Sequence, residues 1–541
     1  MNPILWPQPL SPLHSLPLSA LAAALPLAVI LLLMGVLRRS GLFSSLCAII
    51  TALALAFFLW QMPAPLIAWS AIYGILYALW PILWIVFTAL WLYNLTQATG
   101  KFDLLRRWFE QHASGDPAVQ VLLVAFCFGA LLEGTAGFGA PVAMTAFLLV
   151  SLGHPARRAV LTALIANTAP VAFGSLGIPI LALAGVTGLP LDKLSAMAGR
   201  QVPFLSLLLP AYLILVVDGR SGLRKRWPIA LVTGLSFALT QFLVSNYAGP
   251  YLADVLAACI STIATVAFLK LRPPIVQTNL ARIEPKSASA PAAPLIPLTP
   301  RESFLAWLPW LLLSATVILW TWLKLIPTAQ FLLPIPNLHN GVLITLYHRP
   351  YAALYTFQPF AAGTAALVAT IMTALCLRAP VKTFFRCGQE TFRQLTKPGL
   401  TVLIIVALAY LYNYSGMAYT LGAAIARVGP AFPFVSGFLG WIACFLSGSD
   451  TAANLLFGNL QVAAAHQLHL SPILLAATNT CGAVAGKLVS PQNIAVGVTT
   501  VGLIGQEGKV LRSAFAHSLL LATIISLIAL AQAYWLTGMI P

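Results

Sequence analysis

Charge is what this sequence has least of. Only 8% of its 541 residues are Asp, Glu, Lys or Arg, and 12 of them are acidic. A soluble domain carries about 25%, so that class is excluded. Paired cysteines are missing as well. The seven cysteines (47, 127, 259, 376, 387, 444, 481) show no CxxC or metal spacing, which argues against a disulfide framework or a zinc site. No metal and no cofactor is called for. The chain also lacks HExxH, GxGD and a Tyr-Asp dipeptide, the marks expected of intramembrane proteases. Residues 1–16 hold four prolines and no Lys or Arg, so they lack the basic start of a cleavable signal, and the first apolar run is expected to stay.

What fills the space is apolar. Sixty per cent of the chain is hydrophobic, with many runs of spanning length. That composition reads as an all-α polytopic membrane protein, because only a helix satisfies its own backbone inside lipid. The net charge of +17 then reads as an excess of Lys and Arg in cytoplasmic loops rather than as a nucleic-acid surface.

Spans are expected at 17–37, 41–60, 64–95 (kinked at Pro81), 203–217, 228–245, 250–269, 304–323, 359–377, 399–416 and 516–537. Basic turns at Arg38–Arg39, Lys101–Arg107, Arg157–Arg158, Arg220–Arg226, 378–397 and Lys509–Arg512 are assigned to the cytoplasm, leaving both termini periplasmic. Residues 119–133 and 137–152 are each read as too short to cross, and form a re-entrant hairpin from inside. Residues 159–189 make a broken helix. The first half, 1–270, ends at a flexible linker, 271–302, rich in Pro, Ala and Ser. The second half, 303–541, contains a loop at 325–357, a hairpin from outside at 432–466 and a broken helix at 471–505.

The halves repeat. LEGTAGFGAP at 132–141 has a weaker copy, LSGSDTAAN, at 446–454. Asn167 and Thr168 are followed by Gly174, Leu176 and Pro179; Asn479 and Thr480 are followed by Gly486, Leu488 and Pro491 at the same steps. Tyr93, Asn94 and Thr96 match Tyr412, Asn413 and Ser415. With hairpins opening to opposite sides, this is an inverted repeat, the architecture of many secondary transporters.

A glycine-rich polar break in an apolar span suits an ion or small anion, and serves equally as a flexible turn. Three ionisable groups are expected deep in the membrane: Glu133, Asp450 and Lys487. Glu133 and Asp450 are candidate proton carriers, with Glu133 preferred because Asp450 and Ser449 also read as helix N-caps. Lys487 offers a charge to an anion or a partner to one of the acids. Gly134, Thr135, Ala136 and Gly137 at one tip, and Ser449 and Thr451 at the other, are candidate substrate-binding residues. So are Asn167, Thr168, Asn479 and Thr480 beside the breaks, together with Ser490 and Gln492. The four Asn and Thr side chains serve equally as helix–helix hydrogen bonds.

LEGTAGFGAPVA at 132–143, NTAPVAFGSLGIPI at 167–180, GSDTAANLLFGNLQ at 448–461 and SPQNIAVG at 490–497 resemble the bacterial L-lactate permease family. The resemblance extends through AGRQVPF at 198–204 and the last span, and is weakest in residues 1–16, 271–302 and 325–357. It implies symport of L-lactate, together with D-lactate and glycolate, with protons across the bacterial inner membrane, by an elevator-type motion. An inside-negative potential opposes entry of a monoanion by about 2.3 kcal/mol per 100 mV, which a co-transported proton offsets. Partners are then the small anion, protons and the lipid bilayer; nucleic acid is excluded and self-association is left open. Two alternatives stand beside this one: the same fold carrying another small organic anion, or using sodium as coupling ion, and, more distantly, an intramembrane enzyme using Glu133 and Asp450 as paired acids.

Overall fold

The computed structural model describes residues 5–113, 115–137, 139–272 and 297–541. Most of the 271–302 linker lies outside the described residues. Among the described residues, eleven helices are long and apolar enough to cross a membrane, twelve if the bent pair at 156–187 counts as one span.

In chain order, α1 (Leu16–Leu31) runs into a π-helical turn, and α2 (Gly41–Phe58) begins where the Ser40 hydroxyl accepts from Phe43 N–H. Next come α3 (Ala64–Tyr77) and α4 (Trp84–Ala98), bent at Trp80–Pro81, and the amphipathic α5 (Lys101–His112). The Asp116 carboxylate caps α6 (Pro117–Thr135), with Pro117 in the first turn, where its missing N–H costs nothing. After α6 follow α7 (Ala140–Ser151), α8 (Ala156–Ala166), α9 (Gly174–Thr187), α10 (Leu191–Ala198), α11 (Val202–Tyr247) and α12 (Ala253–Leu271). A Thr299–Glu302 capping box opens α13 (Pro300–Trp322). Then come α14 (Ala362–Cys376), α15 (Val381–Ser415), α16 (Met417–Ile425), α17 (Phe432–Ser447), α18 (Asp450–Gln467), α19 (Pro472–Lys487), α20 (Pro491–Thr500) and α21 (Glu507–Tyr534).

Burial sorts these helices into two layers. The apolar window of α6 is wholly covered by protein and that of α19–α20 is 94% covered, whereas α2 buries 28% of its own. The interior thus includes α6, which leads to the first tip, and α19, which leads to the second break, together with the largely buried α9 and α18.

Several expectations are corrected. Helix α6 is 19 residues long, because its cap sits at Asp116 and its last turn passes Glu133. The argument that this arm is too short to cross therefore fails; its complete enclosure is what sets it apart. The basic stretch 220–226 is helical rather than a loop. Helix α11 runs 46 residues, interrupted by Gly219 at φ 70°, ψ −167°, and Gly234 on one arm lies against the carbonyl of Leu207 on the other. The basic segment 378–397 is also helical from Val381, as the start of the 35-residue α15. The 325–357 loop contains strands β2 (Phe331–Pro334), β3 (Val342–Ile344), β4 (Arg349–Pro350) and β5 (Leu354–Phe357). β2 pairs antiparallel with β5, and β3 pairs with β4 and with an N-terminal strand, β1 (Trp6–Pro7). The description as all-α holds for the spans and not for this cap.

Candidate transport site

The two breaks differ. Helix α8 stops at Ala166, so Asn167 and Thr168 stand at its end; after a short 3-10 turn the chain is bent by 62° into α9. Ser175, Leu176 and Gly177 there take φ of 47°, 58° and 75°, a left-handed run that two of these residue types adopt at a cost of about 1–2 kcal/mol each. In the second half α19 continues past Asn479 and Thr480 to Lys487, and the break falls at 488–490. Asn479 and Thr480 are therefore inside a helix and not beside a break. The sequence repeat preserved the residues, while Gly174 and Gly486 ended in different backbones.

The first break (Val171, Gly174, Ser175 and Pro179), Lys487 and Pro491 on either side of the second, and the tips at Gly139 and at Gly448 and Ser449 line a cavity of about 930 Å³. Exposed Arg38, Arg39 and Lys397 line one part of it, and buried Glu133, Asp450, Lys487 and Ser175 line another, so it runs from a basic surface into the protein.

Its centre is an ion pair. Lys487 Nζ lies 2.5 Å from Glu133 Oε1, and Asn167 Nδ2 donates to Glu133 Oε2 at 2.9 Å. Lys487 is the last residue of α19, where a cation also complements the helix dipole. The carboxylate fits because its neighbour is glycine: a Cβ on Gly174 would stand 2.9 Å from Glu133 Oε1. Across the cavity, Asp450 Oδ2 accepts from Thr480 Oγ1 at 2.8 Å, while Oδ1 has no partner among the described residues. Ser449 caps α18, accepting from Ala452 N–H. The capping role that Asp450 was expected to share belongs to Ser449 alone, which frees the Asp450 carboxyl for Thr480 and the cavity.

The expected site residues divide into two sets. Glu133, Ser449, Asp450, Thr451, Lys487 and Gln492 line the cavity. Behind them, Asn167 holds Glu133, Thr480 holds Asp450, and Asn479 donates to Asn454 Oδ1 at 2.9 Å. Thr135 Oγ1 donates to Leu131 O in its own helix, Gly134 packs on Asp254 and Val255, and Ala136 is buried in the tip. Gly137 abuts Ser175, Thr168 Oγ1 is buried without a partner among the described residues, and Ser490 caps α20.

Sequence reading missed four residues. Asn454, one helical turn after Asp450, donates to Thr480 Oγ1 (2.8 Å) and Pro179 O (3.0 Å), tying the second tip to the first break; its i, i+4 spacing from Asp450 was the available signal. Asn493 Nδ2 reaches Gly448 O and Lys487 O. Ser175 gave no signal, since nothing in its type announces a left-handed backbone. Asp254 is a fourth deep ionisable group, 1% exposed in the first turn of α12; its place at the edge of an apolar run concealed it.

A profile described as L-lactate permease matches residues 19–536. The chain belongs to the L-lactate permease family. It is 42% identical to the glycolate permease GlcA of Escherichia coli strain K12 over 561 residues, covering 99% of this chain and all of that one. Identity is 40% over 563 residues to the L-lactate permease of Bacillus subtilis strain 168, and 39% over 557 to that of Salmonella typhimurium, with 99% and 100% coverage in both. The YdaH transporter of Alcanivorax borkumensis superposes with a TM-score of 0.45 at 15% identity, covering 84% of this chain and 86% of that one. Membership makes this chain a multi-pass membrane transporter of the lactate and glycolate permease family, not an enzyme.

Proposed function

We propose that this protein takes up L-lactate, and with it D-lactate and glycolate, by symport with protons across the bacterial inner membrane. The observation that carries the reading is the Lys487–Glu133 pair inside a cavity shared with Asp450. An entering carboxylate competes with Glu133 for the buried Lys487 ammonium. When Lys487 turns to the substrate, Glu133 is left as an uncompensated charge beside an apolar wall, and a proton relieves that cost. Anion binding and proton binding are thereby coupled through one lysine. Asp450, which lines the same cavity, takes a proton for a related reason: a second unpaired negative charge there would repel the anion.

The repeated motifs, the two pairs of helices meeting at polar tips (α6–α7 and α17–α18) and the two broken helices support an inverted-repeat, elevator-type carrier. The basic lining of Arg38, Arg39 and Lys397 supports an inward-facing state with both termini periplasmic.

The test is uptake of labelled L-lactate into proteoliposomes under an imposed pH gradient, with and without sodium or an uncoupler, competed by D-lactate, glycolate and pyruvate. The reading predicts accumulation that the uncoupler abolishes and sodium leaves unchanged. Sodium-dependent accumulation that survives the uncoupler would contradict it.

A further inference from the structure

Asp254 is the deep carboxyl that the exchange at Lys487 does not use. It is 1% exposed and does not line the cavity. Its Oδ1 accepts from Gln241 Nε2 at 2.8 Å; its Oδ2 has no partner among the described residues. No lysine, arginine or histidine there forms an ion pair with it. An ionised carboxylate with one neutral donor in such a place is costly, so in this conformation Asp254 carries a proton.

Its surroundings give the proton a use. A Cβ on Gly134, the residue after Glu133, would stand 3.1 Å from the Asp254 Cβ. Gln241 Nε2, which holds Asp254, also donates to Ala169 O in the first break, and Ser206 Oγ donates to Gln241 Oε1. Asp254 thus sits where tip, break and the α11–α12 pair meet. Movement of the tip or break against α12 changes its solvation. Thr168 Oγ1, in the same break, is a second buried polar atom without a partner among the described residues. Two such atoms at one junction fit groups that find partners in another state of the cycle. The charges facing Asp254 are Glu133 from α6 and Lys487 from α19. Gln241 and Ser206 face it from α11, Cys127 of α6 turns to Ser261, and α9 offers no titratable side chain.

We infer that Asp254 is a further proton-carrying carboxyl of the transport cycle, adding one charge to each anion moved beyond the protons taken in the cavity by Glu133 and Asp450. The inference rests on the lactate/proton reading. Since Glu133 and Lys487 compensate each other, the Asp254 proton adds one positive charge per anion to those taken up in the cavity, and an inside-negative potential drives uptake the more strongly.

The experiment is simultaneous measurement of current and labelled lactate flux in proteoliposomes at a fixed potential, for wild type, D254N and D254E. D254N is expected to carry about one positive charge fewer per lactate than wild type, while D254E restores the wild-type ratio. An unchanged ratio in D254N overturns the inference. If D254N shows no net uptake, lactate–lactate exchange decides: retained exchange supports a lost proton step, and lost exchange overturns the inference in favour of a packing role. Wild type that moves lactate without protons is a different outcome, and refutes the underlying reading instead.

Discussion

At the scale of residues, one lysine faces three carboxyls, and each acid is held differently. Glu133 is ion-paired, Asp450 has one hydroxyl donor, and Asp254 has one amide. Removing one partner of a buried pair strands the other, at about 3–5 kcal/mol. K487A is therefore expected to lose at least tenfold in lactate affinity and several degrees of thermal stability; unchanged affinity in a binding titration would remove Lys487 from the site. G174A places a methyl 2.9 Å from Glu133 Oε1 and is expected to lower uptake several-fold while folding normally, read by transport alongside a melting curve. A separate titration lies away from the cavity. His154, between α7 and α8, contacts Gln120 Oε1 at 2.9 Å, and burial, with Arg158 adding to it, lowers its imidazole to about 4. A His held neutral in the fold contributes stability above its ordinary value of 6.5 that is lost as pH falls toward about 4. H154Q should flatten that acid-side decline in melting temperature between pH 7 and 5.

At the scale of elements, apolar runs and caps were legible in the sequence because both depend on local residue type. The spans at 17–37, 41–60 and 250–269 lie within a few residues of α1 with its following turn, α2 and α12. Backbone shape at the breaks was less legible. Ser175 and Leu176 adopt left-handed angles that neither residue type favours. Asn479 sits inside α19 although its counterpart Asn167 ends α8. The reason lies in helix contact: α19 is pressed against α17, with Gly482 so near the Gly437 carbonyl that a Cβ would stand 1.9 Å from it. G482V is expected to separate these helices and abolish folded protein, measured as monodisperse yield in detergent; a normal yield would show that this contact can relax.

At the scale of the whole molecule, charge distribution and apolar content were readable from composition, whereas the convergence of Glu133 with Lys487, 354 residues apart, was not. Sequence identified both residues and offered Lys487 as a partner to one of the acids, but could not say which, because nothing local records which tip meets which break. The resulting centre links the halves: Glu133 and Asn167 come from the first, Lys487, Asp450 and Asn454 from the second. In the proposed cycle, transport depends on a choice made by Lys487 between its own carboxylate and the substrate's. The most direct measurement is the proton balance on adding L-lactate to purified protein in weakly buffered detergent, followed with a pH indicator. The account predicts that wild type takes up about one proton more per lactate bound than E133Q, which still binds the anion. Equal proton uptake by the two proteins at equal lactate occupancy would contradict it.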